Sequence, residues 1–297
     1  MTIARGTVVV LGATGQQGGA VAAALRAEGW AVRAVVRDPA GGRARALSAA
    51  GVEVVGGDLA DPRSLRAAFS GAYGVFSVQP SAGQAGAGLT VEDEFRFGVR
   101  VAEIAEERGV AHLVYTSTIA AGATSTGVAH LDVKSRIEDR VRASGVASTI
   151  VRPVTFMELL MLPGMGLDRG RLTFLARPDQ TMQFIAVRDI GRIVARVFAA
   201  PERYAGRTRG IAGDALTGRA LGEALTRAAG RPIDYARLPD AVLEGDEVLG
   251  GTAALVDSGR LAGDVDLDAL REEFPFLSRF DDWLEGPGAD PLREAPR

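Results

Sequence analysis

The sequence predicts an α/β fold: a doubly wound parallel sheet with a smaller, interleaved C-terminal α/β lobe. Three observations predict it. Short apolar runs alternate with helix-length segments from residue 7 to residue 151, the rhythm of parallel β-α-β units. The first run, Thr7-Val8-Val9-Val10-Leu11, is apolar without alternation, which suits a strand covered on both faces. It ends at Gly12 in a glycine-rich turn that opens a helical pattern. Right-handed crossovers then fix the winding.

The elements follow in order. A small-residue helix is expected over Gln16 to Glu28, with Val21, Ala24 and Leu25 on one stripe. Trp30 to Val36 reads as a strand, Ala40 to Ala50 as a helix, and Val52 to Val55 as the third strand. Pro62 to Phe69 is a helix opened by Asp61 as N-cap. Val75 to Val78 is the fourth strand, Val91 to Arg108 a long helix, and His112 to Thr116 the fifth strand. His130 to Ala143 is helical and Ser148 to Val151 is the sixth strand. After Arg152-Pro153 the rhythm breaks. Phe156 to Gly170 is rich in Met and Gly, which predicts an adaptable apolar wall, not a regular helix. Phe184 to Val187 predicts another strand and Arg188 to Ala199 a helix returning to the main domain. Arg209 to Ala212 and Ile233 to Arg237 read as strands around a helix at Arg219 to Ala229. The expected division is 1–152 for a dinucleotide-binding domain rejoined by 183–200, with 153–182 and 201–285 as a substrate lobe. The tail 286–297 is expected to be flexible, and Ser81 to Leu89, rich in Gly and Ala, mobile.

Composition narrows the function. With 297 residues, 47% of them hydrophobic, the chain can bury one large core. A net charge of −3 lacks the basic excess of a protein that depends on nucleic-acid phosphates. No apolar run approaches a membrane span, and the N-terminus enters a strand pattern at once, so a cytoplasmic protein without a membrane partner is expected. Absence of cysteine excludes disulfides, Fe–S clusters and a Cys nucleophile. Two histidines, His112 and His130, are too few for a His-rich metal site, and no metal is expected. Of the 34 basic residues only Lys134 is lysine. Arginine cannot present a compact ammonium or lose its proton in a protein, so a lysine that survives this bias points to a need for the amine.

The candidate chemistry lies at strand ends. Gly12-Ala13-Thr14-Gly15-Gln16-Gln17-Gly18 joins the first strand to the first helix. Glycine there lets backbone N–H groups approach a pyrophosphate, and Gly18 lets helix and strand pack closely. Arg37 stands at the tip of the second strand, where a guanidinium would accept the 2′-phosphate of NADP with help from Arg43 or Arg45. Asp38 leaves NAD open, and Arg37 could instead pair with Asp38 or Asp58. Asp58 and Leu59 follow the third strand where an adenine would lie, although Asp58 could merely cap a turn. Thr116-Ser117-Thr118 ends the fifth strand, and these hydroxyls could hold a ligand or finish the strand. His130 and Lys134 share one helix face, one turn apart. Lys134 could reach the nicotinamide ribose or donate a proton, or pair with Glu138 four residues on. His112 reads as structural. Phe156, Met157 and Met161 could line a substrate pocket.

Together these motifs resemble the NmrA-like branch of the atypical short-chain dehydrogenases/reductases, with a Rossmann domain. Beyond the glycine turn, the resemblance is carried by residues 32–39, Gly57-Asp58-Leu59, His130-Leu131-Asp132-Val133-Lys134, residues 152–158 and residues 184–191. It implies NADP(H), held by Gly12, Gly15, Gly18 and Arg37, and a catalytic lysine at Lys134. It also implies that His130 stands where the wider superfamily has a tyrosine acid. The expected function is an NADPH-dependent reductase of a small apolar unsaturated or quinone-like substrate, with Lys134, Ser117 and His130 as catalytic candidates. The alternatives are an NADP(H)-sensing regulatory protein with a protein partner and, third, a non-redox isomerase or dehydratase with bound nucleotide. A homodimer is a fair expectation.

Overall fold

The computed structural model describes residues 6–82 and 88–286, together with 288, 290 and 292. Residues 83–87 of the segment expected to be mobile, and most of the tail, lie outside the described residues. The chain forms two compact units, the first comprising 1–125, 129–152 and 190–209, the second 126–128, 153–189 and 210–297. The return to the first unit thus begins at Ile190, not at residue 183, and lasts to Arg209, not residue 200.

A seven-stranded sheet forms the body of the first unit. Its strands are β1 (Thr7–Val10), β2 (Ala31–Val36), β3 (Glu53–Gly56), β4 (Gly74–Ser77), β5 (His112–Thr116), β6 (Ser148–Pro153) and β10 (Thr208–Ile211). They lie in the order β10-β6-β5-β4-β1-β2-β3, so the winding reverses direction at β1, as a doubly wound sheet requires. The pairs β1–β2, β1–β4, β2–β3, β4–β5 and β5–β6 are all parallel. Val8, Val9 and Val10 have no exposed surface, as expected for a strand covered on both faces. Parallel strands put their carboxyl ends on one edge, and the loops after β1 to β5 gather there.

The crossovers are α1 (Gln16–Ala27), α2 (Gly42–Ala49), α3 (Pro62–Phe69), α4 (Val91–Glu107) and α5 (Ala129–Ala143), followed later by α6 (Val187–Ala199) and α7 (Pro201–Tyr204). The starts of α3 and α4 have a local cause. Asp61 accepts from Arg63 N–H ahead of Pro62. Thr90 and Asp93 form a capping box that opens α4. Gly191 of α6 lies so close to α1 that a Cβ there would sit 2.4 Å from the Ala20 carbonyl. No helix among the described residues is long and apolar enough to cross a membrane.

His112 is structural, with a specific consequence. Its Nε2 lies 2.8 Å from Thr149 Oγ1, and that hydroxyl gives its only hydrogen to the Tyr204 carbonyl at 2.9 Å. The imidazole must therefore donate through Nε2, which leaves a bare, buried Nδ1 with no partner. Protonating Nδ1 would bury an unpartnered charge, and burial lowers the pKa to about 4. The unfolded chain takes up this proton near the ordinary value of about 6.5, so stability is full above that pH and drains as the pH falls toward 4. Across this window His112 should account for a loss of about 3 kcal/mol. Urea melts at stepped pH values check this: His112→Gln, which cannot titrate, should flatten the slope.

The second unit carries β7 (Thr155–Phe156), β8 (Arg171–Phe174), β9 (Thr181–Ile185), β11 (Asp214–Thr217) and β12 (Asp234–Arg237). They form a three-stranded sheet, β11-β9-β7, and a pair, β12-β8. Around them lie α8 (Gly218–Ala229), α9 (Asp240–Gly245), α10 (Glu247–Asp257), α11 (Leu267–Glu273) and α12 (Phe280–Glu285). Its core gathers Met157, Phe174, Phe184, Leu225, Phe280 and Trp283. The strand expected at 184–187 falls instead at Thr181–Ile185, because the Glu158 carboxylate takes the Val187 N–H at 3.1 Å and starts α6 there. The expected irregular segment resolves into 3₁₀ turns at Met157–Met161 and Leu167–Arg169, with Gly164 and Gly166 at positive φ between them.

Candidate functional site

Two glycines of the turn leave no room for a side chain. Gly12 has φ +64°, and a Cβ there would meet Val78 Cγ1 at 2.8 Å. Gly15 N–H donates to the Gly12 carbonyl at 2.8 Å and closes the turn. At Gly18 a Cβ would lie 2.3 Å from the Gly12 carbonyl oxygen and 2.7 Å from that of Leu11. Helix α1 then starts on Gly15 with no side-chain cap and no acidic residue in its first turn. The N–H groups of its first turn, at Gln16, Gln17 and Gly18, are left for an outside acceptor at the positive end of the helix. Gln17 is oriented as well: its Oε1 accepts from Thr116 Oγ1 at 2.8 Å, so its amide hydrogens face away from β5. Thr14 lends its carbonyl to Arg43 Nη1 at 3.3 Å.

Arg37 follows β2 and is exposed; among the described residues it makes no hydrogen bond or ion pair. The pairing with Asp38 or Asp58 that the sequence left open is not formed. Asp38 accepts from Ala40 N–H at 3.0 Å, and Arg45 is spent on the Ala40 carbonyl. Asp58 Oδ1 caps a turn through Ala60 N–H at 2.7 Å. Leu59 packs half-buried against the core, and its carbonyl accepts from Arg100.

The ends of β4 and β5 add buried polar groups. Gln79 Nε2 donates to Ser77 Oγ at 2.8 Å, and Gln79 Oε1 has no partner among the described residues. Ser117 Oγ is buried without a hydrogen bond of ordinary geometry, although it lies near enough to Glu138 to help hold that carboxyl down. Burial pushes Glu138 up, but hydrogen bonds from Arg152, the nearby Ser117 hydroxyl and the charges of Arg152 and Arg142 outweigh it. Arg152 reaches Glu138 at 2.8 and 2.6 Å.

Glu138 is therefore not the partner of Lys134, as the four-residue spacing suggested. The ammonium pairs with Glu94 of α4, whose carboxylate is wholly buried. Both α4 and α5 begin after the carboxyl ends of their preceding strands, so the pair lies on the same edge as the glycine turn. His130, one turn before Lys134, is half-buried, and its ring makes no hydrogen bond among the described residues. Burial lowers its pKa, Lys134 lowers it further, and Glu94 opposes both. At neutral pH the imidazole is therefore uncharged and keeps a bare nitrogen that can take a proton.

Glu94 is the site residue the sequence reading missed. Glu92, Asp93 and Glu94 together look like charges set against the helix dipole. The available signal was spacing: Glu94 shares the buried stripe of Phe97, Gly98 and Val101. In the second unit, Met157 lies wholly inside the core, whereas Phe156 and Met161 are half-buried.

A family model described as the NmrA-like family matches residues 4–268. The chain is 30% identical over 230 residues to the NAD(P)H azoreductase of Xenophilus azovorans, a match covering 77% of this chain and 76% of that one. Among solved structures, it superposes on the negative transcriptional regulator NmrA in complex with NADP with a TM-score of 0.79 at 21% identity, covering 97% and 96% of the two chains. It also superposes on the Citrobacter sp. triphenylmethane reductase complexed with NADP(H), with a TM-score of 0.76 at 21% identity, covering 94% and 99%. The two superpositions speak to the fold, and the family match runs from ahead of β1 through the start of α11. The chain belongs to the NmrA-like family.

Proposed function

We propose that the protein is an NADPH-dependent reductase of a small apolar, conjugated acceptor such as a quinone, an azo compound or a cationic dye. The observation that carries this reading is the Arg37 guanidinium, unpaired among the described residues, beyond a turn in which Gly12 and Gly18 admit no side chain. Gly12, Gly15 and Gly18 would let the backbone approach the pyrophosphate, and the first-turn N–H groups of α1 would take its charge. Arg37 would take the 2′-phosphate, and Asp58 and Leu59 would flank the adenine. When bound, NADPH would supply a hydride. A quinone or azo compound then needs one proton from the protein or water to complete the two-electron reduction, whereas a cationic dye is neutralised by the hydride alone. With one of its three donors on Glu94, Lys134 would keep two on that edge, to hold ribose hydroxyls or to pass a proton to the reduced acceptor. Ser117 and neutral His130 offer further polar atoms beside it. Of the expected pocket residues, half-buried Phe156 and Met161 would offer apolar surface to the substrate, whereas Met157 is enclosed in the core.

Two named relatives favour the acceptor class: one reduces azo compounds and the other triphenylmethane dyes, by their names. Turnover tests it. Pure protein should oxidise NADPH with at least one member of a panel of quinones, azo dyes, triphenylmethane dyes and enones. Silence across the panel would leave the second reading, a regulator that senses NADP(H). Two observations favour that one: a histidine, not a tyrosine acid, precedes Lys134, and the fold is shared with a regulator. A regulator requires partner capture that differs between NADPH and NADP⁺.

A further inference from the structure

The single lysine is held from behind. Lys134 Nζ pairs with Glu94, and the second oxygen of that carboxylate accepts Ala82 N–H at 2.8 Å. The Lys134 side chain is 14% exposed and that of Glu94 0%. The capping box at Thr90 and Asp93 fixes the turn that carries Glu94. Close approach of the two helices does the rest: a Cβ on Gly98 of α4 would lie 2.6 Å from Ile137 Cγ2 of α5. A carboxylate serving only the helix dipole does so from the surface, as Glu92 does beside it. Burying one is costly unless its oxygens are satisfied. Here each oxygen has a partner on a different element, one on α5 and one in the segment after β4.

We infer that Glu94 is a positioning residue for the reaction: its buried carboxylate clamps the Lys134 ammonium on one oxygen and the Ala82 N–H on the other, setting the amine and the segment after β4 in register at the sheet edge. The inference rests on the reading of Lys134 given above. Glu94 touches neither coenzyme nor acceptor and bears on the reaction through the lysine, while its bond from Ala82 N–H fixes the carboxylate in place.

A double-mutant cycle tests it, and the lone lysine supplies a second readout that needs no turnover. Glu94→Gln should lower kcat about tenfold or more and change the dissociation constant for NADPH by less than about threefold, because the phosphates are held elsewhere. In a Lys134→Met background Glu94→Gln should cause no further loss. In lysine-labelled protein without coenzyme, Lys134 gives one side-chain ammonium resonance. Its protons should exchange with water about tenfold faster or more in Glu94→Gln than in wild type. Independent, multiplying losses in the cycle would overturn the proposal, as would wild-type kcat in Glu94→Gln. If Glu94→Gln does not fold, Glu94→Asp replaces it. The wild-type resonance also decides alone: ammonium protons exchanging as freely as those of free lysine would contradict the clamp. Wild-type protein that binds no NADPH would sink the reading of the site, while the resonance would still judge Glu94.

Discussion

Gly18→Ala is expected to weaken NADPH binding about 100-fold and to cost about 2 kcal/mol of stability. The new methyl would sit 2.3 Å from the Gly12 carbonyl oxygen, 2.4 Å from the Gly12 carbonyl carbon and 2.7 Å from the Leu11 oxygen. All three are backbone atoms of the turn, so no side-chain rotation relieves the clash and α1 must move away from β1. That movement misaligns the first-turn N–H groups. Losing two charge-assisted hydrogen bonds at about 1.5 kcal/mol each gives the stated factor. Gly42→Ala is the control. Its Cβ would meet only the end of Arg45 at 3.9 Å, within a helix where alanine should be neutral or stabilising. Calorimetric titration and urea melts on both variants check the pair. Wild-type NADPH affinity in Gly18→Ala would mean that the turn does not hold the coenzyme.

Lys134→Met should destabilise the protein by about 3 kcal/mol, because it strands a carboxylate with no exposed surface. Adding Glu94→Gln should recover most of that loss, since a neutral amide can still accept the Ala82 N–H. The exposed pair Arg66–Glu107, at 2.7 Å, provides the contrast. Both of its side chains are more than 40% in solvent, and Arg66→Ala should change stability by less than about 0.5 kcal/mol. Urea melts of the four proteins decide the matter. A Lys134→Met cost as small as that of Arg66→Ala would show that the buried pair is not the constraint described.

The first unit was legible because its signals are local. An apolar run of the Thr7–Val10 kind can only be a doubly covered strand, and Asp61-Pro62 can scarcely be anything but a helix start. The second unit was legible only in part. Strand β9 carries Thr181 and Gln183 in a span that is otherwise apolar. Gln183 is buried, but its amide is satisfied by the Val265 carbonyl and N–H, a contact 82 residues away. Strands β8 and β11 are four residues long and half polar, and the helices from α9 onward give weak patterns, so none was foreseen. In the site, the residue types were readable but their partners were not. Glu138 stands four residues from Lys134 and looked like its counterion. Tertiary structure instead gives Glu138 to Arg152 and Arg142, and Lys134 to Glu94.

Arg37 carries the claim about the coenzyme, and paired titrations of wild type and Arg37→Ala with NADPH and NADH test it most directly. The two coenzymes differ only in the 2′-phosphate, and among the described residues no side chain competes for the guanidinium. Wild type should prefer NADPH, and Arg37→Ala should lose about 10- to 100-fold in NADPH affinity while NADH binding stays within about twofold. Equal losses for both coenzymes, or an unchanged preference for NADPH in the variant, would contradict the assignment.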